Sequence, residues 1–339
     1  MLRLAHRLLS QPFYNIEERP PELLSGTFIG APASPRLTSS IRDVIRGGVI
    51  IIGDDIARGM PDEVTDDKAD YPCPVPPFAS CFIEHLITPC TEPDEPGRRP
   101  SMLPGFLATF DDIKMVGWLV GSLRRSDLGT PRDFMDRWLA AIADSDARAP
   151  FIEMANQFRE NERGGWLNWE RPFMVAGDRN LRLPVEAMTL LDESGNITES
   201  PYVIFGGGVD ESLQGAVHWS HTVMWRTLSM LNCRNVELVD ETGKHGPRAK
   251  WLRRMKQPEI KYHVLKVQVG RPRKLREGDD ESGAAGAGKA LHVCRGHFRT
   301  YDENSPGLFG RLHGRYWIPQ HARGDEKLGE VKKDYQVEV

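Results

Sequence analysis

The chain contains no apolar run long enough to cross a bilayer. Its longest apolar runs, Val49–Ile52 and Met115–Val120, are far shorter than the ~20 residues that a transmembrane helix requires. The opening residues 1–9 are basic and amphipathic, with neither a continuous apolar stretch nor a small-residue cleavage site, so a secretory signal is not expected. We therefore expect a cytoplasmic protein with no membrane partner.

Cysteine is scarce and widely spaced. The chain has five cysteines and no C-x-x-C pair, which favours a reducing compartment over a disulfide framework. A zinc site could be imagined from Cys73, Cys81, His85 and Cys90, but their spacing matches no common ligand pattern. Buried structural cysteines are the favoured interpretation, because free cysteine behaves as a small apolar residue.

Motifs for cofactors and metals are also missing. Gly206–Gly208 has neither the G-x-G-x-x-G spacing of a dinucleotide fingerprint nor the Lys-Ser/Thr ending of a P-loop. His218 and His221 lie three residues apart in a predicted helix, but no third ligand accompanies them. We expect no cofactor and no metal.

The net charge of −4 conceals two segments of opposite sign. Residues 54–98 hold eleven Asp or Glu against three Lys or Arg, whereas residues 244–276 hold twelve Lys or Arg against one Glu. A basic block of this density is typical of a phosphate-contacting surface, so Lys250, Arg253 and Arg254 are candidate contacts for nucleic acid. The alternative is that the basic block docks on the acidic segment of the same chain.

Hydrophobic patterning predicts an α+β fold, with a mainly antiparallel sheet packed against a few helices and a basic, β-rich C-terminal subdomain. Residues 1–75 are predicted to be an N-terminal arm and acidic linker, and residues 76–243 an α+β core. Residues 244–339 are predicted to form the basic module, which is open to being continuous with the core. The Gly/Ala/Ser-rich composition of residues 277–289 predicts a mobile loop.

Two helices and one turn have strong local signals. Thr130–Asp133 supplies an N-cap and an early proline for a helix that is predicted to run to about Ala143. A longer helix is predicted to begin near Asp210, because apolar residues recur along one face as far as Leu231. Asp192–Asn196 is a predicted hairpin turn, since Gly and Asn tolerate positive φ.

Two C-terminal segments alternate in a way that predicts strands. In residues 292–301, period two places four polar residues on one face: Arg295, His297, Arg299 and Tyr301. In residues 314–323 the corresponding row is Arg315, Trp317, His321 and Arg323. If these strands pair as neighbours, with residues 331–337 as a third strand, His297 and His321 could approach each other among arginines.

Such a site has the groups that metal-independent RNA cleavage requires. We assign His297 as the base for the 2′-hydroxyl and His321 as the acid for the leaving oxygen, with Arg295 and Arg323 on the charged intermediate. Four further residues are candidates for substrate binding, through phosphate contacts and base stacking. They are Arg299, Tyr301, Arg315 and Trp317. A surface that binds phosphate or protein without catalysis is the alternative.

The same segment carries R-G-H-F-R-T-Y, then L-F-G, then G-R-Y-W-I-P-Q-H-A-R-G and finally K-D-Y, within residues 292–335. With these motifs it resembles the C-terminal end of a group of uncharacterised bacterial and bacteriophage proteins, and that resemblance implies no activity. In residue types alone, the strands are also similar to small metal-independent ribonucleases whose sheets carry His, Arg and Tyr.

The sequence therefore predicts a protein that binds nucleic acid, RNA rather than DNA, with endoribonuclease activity as a candidate. The alternative is a non-enzymatic interaction protein of a phage or mobile element, with a charged surface for a protein partner. An enzyme acting on a small phosphorylated or carboxylated ligand would use the same Arg and His set. The oligomeric state is left open.

Overall fold

The computed structural model of the protein shows an α+β fold, as the patterning predicts. The structure describes residues 2–15, 31–32, 35–59, 71–86, 113–124, 152, 165–176, 179–183, 185–198, 202–205, 211–247, 249–254, 256, 259–268, 290–294, 296–303, 312–319, 321–323 and 325–330. These residues divide into two compact units: the main unit lies within Met1–Asn232 and Leu238–Leu265, and the C-terminal unit within Cys233–Glu237 and Lys266–Val339.

The described helices are short except for one. They are α1 (Leu4–Ser10), α2 (Pro35–Gly47), α3 (Asp54–Arg58), α4 (Glu211–Leu231), α5 (Thr242–His245) and α6 (Ala249–Arg254). The first eleven strands are β1 (Phe13–Asn15), β2 (Ala31–Pro32), β3 (Val49–Ile52), β4 (Ser80–Leu86), β5 (Ile113–Arg124), β6 (Trp166–Ala176), β7 (Arg179–Arg182), β8 (Val185–Leu191), β9 (Tyr202–Phe205), β10 (Val236–Asp240) and β11 (Tyr262–Val267). The last five are β12 (Ala290–Cys294), β13 (His297–Tyr301), β14 (Gly314–Ile318), β15 (His321–Arg323) and β16 (Asp325–Glu330).

The first eleven strands form one mixed sheet, in which antiparallel pairs dominate. Its order is β10-β11-β3-β4-β5-β6-β7-β1-β2, and β8 and β9 continue the sheet from β6. Three neighbouring strands, β11, β3 and β4, run parallel to one another. The four residues of β3 are Val and Ile, as expected for a parallel strand that is covered on both faces.

Apolar side chains from alternate positions of β3 enter two cores on opposite faces of the sheet. Ile50 and Ile52 pack with α1 and α2, in a cluster that includes Leu4, Leu8, Ile41 and Ile45. Ile51 packs with α4, in a cluster that includes Val217, Met224 and Leu228. The predicted helix near 210–231 is therefore confirmed as α4, and its apolar stripe covers one face of the sheet.

The described part of residues 1–75 belongs to the sheet and its core rather than to an arm. Leu4 and Leu8 of α1 are fully buried. A Cβ on Gly117 of β5 would come within 2.9 Å of the Leu4 side chain and still closer to the Phe82 ring, so glycine lets α1 approach the sheet. The acidic stretch at 60–70 lies outside the described residues.

Two smaller sheets lie within the C-terminal unit. One has the order β15-β12-β16, and the other is the pair β13-β14. The predicted boundary at residue 244 differs from this division, because Leu238–Leu265 belongs to the main unit. The predicted helix at 130–143, the predicted loop at 277–289 and the predicted strand at 331–337 lie outside the described residues.

The predicted turn at Asp192–Asn196 is confirmed, because Leu191 bridges to Ile197 across it and Gly195 adopts a φ of 82°.

In the part of the chain that the structure describes, none of the helices has the length and apolar character needed to span a bilayer.

Candidate functional site

The two alternating C-terminal segments pair as neighbours, which is the condition that the site hypothesis required. β13 and β14 are antiparallel, with His297 opposite Ile318, Arg299 opposite Tyr316 and Tyr301 opposite Gly314. Asp302 and Glu303 lie just beyond β13 and are exposed. We refer to the paired strands β13 and β14 as the hairpin.

The register places the two predicted rows of side chains on opposite faces of the hairpin. Directly opposed residues share a face, so His297, Arg299 and Tyr301 lie on the side of Tyr316. The other side is formed by Phe298, Thr300, Arg315 and Trp317. The expectation that both rows line a common hollow is therefore wrong for Arg315 and Trp317, whose pairing partners are Thr300 and Phe298.

We call the first side the cationic face, and define it as His297, Arg299, Tyr301 and Tyr316. His297 and Arg299 are exposed, and the two tyrosines are half-buried. The Arg299 guanidinium carbon lies 4.9 Å from the centroid of the Tyr301 ring, within the range of a cation–π contact. The Tyr301 and Tyr316 rings meet edge to face, with their centroids 5.5 Å apart.

The other predicted catalytic residues lie in or beside a different pair of strands. β12 pairs with β15, so His321 is opposite Cys294 and Arg323 is opposite His292. The backbone register therefore does not place His321 across from His297. Arg295 and the side chains of His321 and Arg323 lie outside what the structure describes, so their proposed convergence with His297 stays a prediction.

The predicted phosphate contacts of the basic block lie on α6 in the main unit. Lys250, Arg253 and Arg254 are exposed on this helix, and Leu252 anchors it in the core. Lys256 and Lys261 are also exposed beyond the helix. The short α6 thus presents a surface rich in cations.

A partly buried ionic cluster, which we call the Arg3 cluster, occupies the carboxyl ends of β3 and β4. It contains Arg3, Asp54, Glu84 and His245. The Arg3 guanidinium donates two hydrogen bonds to Asp54, at 3.1 Å and 2.6 Å, and its side chain is 9% exposed. The same guanidinium lies 3.0 Å from Nδ1 of His245 and 3.8 Å from the Glu84 carboxylate.

The two acids of the Arg3 cluster have different electrostatic environments. Burial alone would raise the pKa of Asp54, but hydrogen bonds from Arg3 and from the Leu86 N–H outweigh burial and lower it. Glu84 is fully buried, and burial raises its pKa to about 7. One Glu84 oxygen accepts the Ala5 N–H at 2.7 Å, which ties the carboxyl group to α1.

A second group of buried polar side chains lies on the opposite face of the sheet, against α4. Nε2 of His85 lies 3.0 Å from the Ser220 hydroxyl, which also accepts a hydrogen bond of 2.7 Å from the Trp118 indole. Burial lowers the pKa of His85 to about 4, so this imidazole is neutral near pH 7. His85 and Ser220 are both fully buried, so the pair has no contact with solvent and serves the core.

His221, on the next position of α4, makes a comparable contact. Its Nε2 lies 2.6 Å from the Glu170 carboxylate of β6, and its ring lies between the indoles of Trp118 and Trp225. Thr189 donates a hydrogen bond to the same carboxylate at 2.9 Å. The two histidines of α4 therefore differ in environment. His221 is a buried core residue with a polar partner, while His218 is exposed.

Sequence reasoning did not find the Arg3 cluster. A signal existed for Asp54, which follows a continuous apolar strand and therefore lies at a carboxyl end, where α/β sheets place ligand groups. No signal linked Asp54 to Arg3, because the two residues are 51 positions apart. Within the described ranges, no group of three or more His, Cys, Asp or Glu is placed to hold a metal ion.

Comparison of the chain with protein-family models, with curated proteins and with solved structures finds no match. The resemblance of the C-terminal motifs to bacterial and bacteriophage proteins therefore stays a prediction.

Proposed function

We propose that this protein binds nucleic acid, RNA in preference to DNA, through the exposed cations of α6. One observation carries the proposal: Lys250, Arg253 and Arg254 project from a single short helix into solvent, and no described carboxylate pairs with them. Cations that no described carboxylate neutralises are available to phosphates, and binding phosphates releases counterions from the nucleic acid.

The described acids of the acidic segment have other partners or positions. Asp54 binds Arg3, Asp55 binds Arg58, and Glu84 is buried. Of the three described carboxylates of residues 54–98, none pairs with Lys250, Arg253 or Arg254. The basic block meets this segment where His245 contacts Arg3, the partner of Asp54. The charge of α6 therefore favours an external polyanion.

Other exposed cations close to α6 in sequence add to its positive charge. Lys256 and Lys261 are exposed close to it in sequence, and Glu259 is the single acid of this segment. Lys244 belongs to the same block but pairs with Glu241, at 2.8 Å, so it contributes less. A surface of this composition attracts phosphate strongly at low salt and weakly at high salt.

The proposal concerns binding rather than cleavage. An acid–base pair for RNA cleavage requires two groups that reach the same phosphodiester, and the register sets His297 opposite Ile318 but His321 opposite Cys294. Endoribonuclease activity by His297 and His321 therefore remains a separate hypothesis. The preference for RNA is based on the 2′-hydroxyl, a donor and acceptor that RNA offers and a DNA of the same sequence lacks.

Fluorescence anisotropy with a labelled single-stranded RNA tests the proposal. We expect the triple variant K250Q/R253Q/R254Q to bind at least about tenfold more weakly than the natural chain at low salt. The matched control R36Q/R46Q/R58Q removes the same charge from exposed residues of α2 and α3, and should bind nearly as well as the natural chain. Equal losses in the two triple variants, or no RNA binding at all, would overturn the proposal and favour a protein partner.

A single-stranded DNA of the same sequence tests the preference for RNA. We expect weaker binding to the DNA under identical salt. Equal affinity for the RNA and the DNA would contradict the preference for RNA. It would leave the proposed contact between α6 and phosphates unaffected.

A further inference from the structure

The cationic face of the hairpin combines flat groups with positive charge. Arg299 is exposed, and its guanidinium lies over the Tyr301 ring at 4.9 Å. The Tyr316 ring stands at 68° to the Tyr301 ring, and both tyrosines are half-buried, so part of each side chain remains exposed. Two aromatic rings and one guanidinium plane thus occupy a small part of one face.

Acidic groups are missing from the strands that carry these side chains. The sequences of β13, H-F-R-T-Y, and β14, G-R-Y-W-I, contain no Asp or Glu. The exposed Asp302 and Glu303 follow directly after β13, so Arg299 is the cation of this face that would meet a phosphate. The charge of the face is complementary to a nucleic acid backbone.

The flat groups are complementary to bases. Aromatic rings and guanidinium planes stack on any base, and stacking of this kind contributes about 1–3 kcal/mol per base. Bases within a duplex are already stacked and paired, so they are not available to a side chain on a sheet surface. The combination favours single-stranded nucleic acid over a duplex and over a polyanion without bases.

We propose that the cationic face stacks one or more unpaired bases of a single-stranded nucleic acid on Arg299, Tyr301 and Tyr316. This inference depends on the proposed function, because it takes single-stranded nucleic acid as the ligand of the hairpin. It assigns contacts with bases to the cationic face, whereas the exposed cations of α6 are assigned contacts with phosphates. Trp317, the other candidate for stacking, faces away with Phe298, and their ring centroids lie 4.7 Å apart.

The register gives Tyr301 a matched control on the opposite face. Phe298 is an aromatic residue of the same strand that is also half-buried, and it lies on the side of Trp317. The variants Tyr301→Leu and Phe298→Leu each replace one aromatic ring of β13 with a leucine side chain. Tyr301→Leu removes a ring from the cationic face, and Phe298→Leu removes a ring from the opposite face.

A comparison of two oligomers tests the inference on the natural chain. One is a short thymidine oligonucleotide, and the other is an abasic deoxyribose phosphate oligomer with the same number of phosphates. Deoxy oligomers prevent cleavage at a 2′-hydroxyl. We expect the thymidine oligonucleotide to bind about tenfold more tightly, as stacking of one base would require.

The variants test whether the higher affinity for the thymidine oligonucleotide depends on the cationic face. Tyr301→Leu should reduce the preference for the thymidine oligonucleotide, because it removes one of the three stacking groups, whereas Tyr301→Phe and Phe298→Leu should retain that preference. K250Q/R253Q/R254Q should weaken both oligomers by the same factor. Circular dichroism and thermal unfolding confirm that each variant is folded.

The failures of the two proposals are distinguishable. If both oligomers bind the natural chain equally well and binding weakens with salt, nucleic acid binding stands and base stacking is overturned. A preference for bases that Tyr301→Leu leaves undiminished overturns the assignment to the cationic face. If neither oligomer binds, the proposed function itself fails. The comparison on the natural chain needs no variant, so an unfolded Tyr301→Leu would leave it decisive.

Discussion

Asn235 holds the main chain of Trp317 through two hydrogen bonds. Its side-chain amide donates to the Trp317 carbonyl at 2.7 Å, and its side-chain oxygen accepts the Trp317 N–H at 2.9 Å. Next to it, the Arg234 N–H donates to the Arg315 carbonyl at 2.9 Å. Residues 234–235 therefore satisfy the outer edge of β14 as a neighbouring strand would, and fix the hairpin that presents the cationic face.

The first prediction concerns this contact. Asn235→Leu leaves the two main-chain groups of Trp317 without their partner, which costs about 1–3 kcal/mol locally. Amide hydrogen exchange at Trp317 should then become about tenfold faster or more. The amide of Ile83, in β4 of the main unit, serves as the control and should be unaffected. Unchanged exchange at Trp317 would contradict the role of Asn235.

The second prediction concerns Glu84. Its pKa is raised from 4.5 to about 7, so the folded state holds the proton more tightly than the unfolded state. The stability from the protonated carboxyl is fully present below pH 4.5 and is lost as the pH rises through 7, by on the order of 3 kcal/mol. Glu84→Gln should therefore be more stable than the natural chain at pH 8, and nearly equal to it at low pH.

Urea unfolding of the natural chain and of Glu84→Gln between pH 5 and 8 measures this difference. The exposed Glu259 provides the control, because Glu259→Gln should leave the pH dependence unchanged. If the stability difference between Glu84→Gln and the natural chain does not grow with pH, Glu84 is ionised in the folded protein at neutral pH.

The third prediction concerns His85, for which the sign is opposite. Burial lowers its pKa from 6.5 to about 4, so the unfolded state binds the proton more tightly in this range. The stability from the neutral imidazole is present above pH 6.5 and is lost as the pH falls through 4. His85→Gln should reduce the loss of stability on acidification over this interval.

Acid unfolding followed by circular dichroism checks this prediction. His218→Gln changes an exposed histidine of α4 and should unfold like the natural chain. Because the effects of Glu84 and His85 oppose each other between pH 4.5 and 6.5, the natural chain alone does not separate them. Identical acid unfolding of His85→Gln and His218→Gln would contradict a neutral buried His85.

The fourth prediction concerns the ion pair of Arg3 and Asp54. Because the Arg3 side chain is 9% exposed and that of Asp54 is 16% exposed, removing one partner leaves the other charge poorly solvated. We expect Arg3→Gln to lower the free energy of unfolding by about 3 kcal/mol. Asp54→Asn retains an acceptor for the Leu86 N–H, so the change in the free energy of unfolding is due mainly to the lost charge.

A double-mutant cycle on these two residues measures their coupling, which should be at least about 1 kcal/mol. Arg46 and Asp43 form an exposed pair on α2 at 3.0 Å and provide the control, with coupling near zero. Equal coupling in the two cycles would show that the Arg3 cluster stabilises the fold no more than a surface pair does.

Local patterns predicted several elements because their signals are local. The apolar stripe from Leu213 to Leu231 predicted α4, and the Gly and Asn of residues 192–196 predicted a turn. Alternation also predicted the strands that became β13 and β14. In each case the residues that form the signal are close together in sequence.

The faces of the hairpin were not predictable in the same way. Period two sorts Arg299 from Thr300 within one strand, but the register decides which residues of the partner strand share each face. A shift of one residue exchanges the two faces. Gly307–Gly310 predicts a turn in the connection between the strands, but this signal does not set the register. The resulting register places Arg315 and Trp317 away from Arg299.

Long-range polar pairs had no local signal at all. His85 and Ser220 are 135 positions apart, and Arg3 lies 242 positions from His245. Their contacts depend on the topology of the main sheet, which brings α1, β4 and α4 together. The ionic cluster therefore became visible only in the structure.

The salt dependence of RNA binding measures whether α6 contacts phosphates. If α6 contacts phosphates, log K should fall linearly with log salt concentration, and K250Q/R253Q/R254Q should reduce the slope by about 2, at ~0.7 per lost phosphate contact. R36Q/R46Q/R58Q should keep the slope of the natural chain. Binding that does not depend on salt, or a slope that the α6 variant leaves unchanged, would contradict the account.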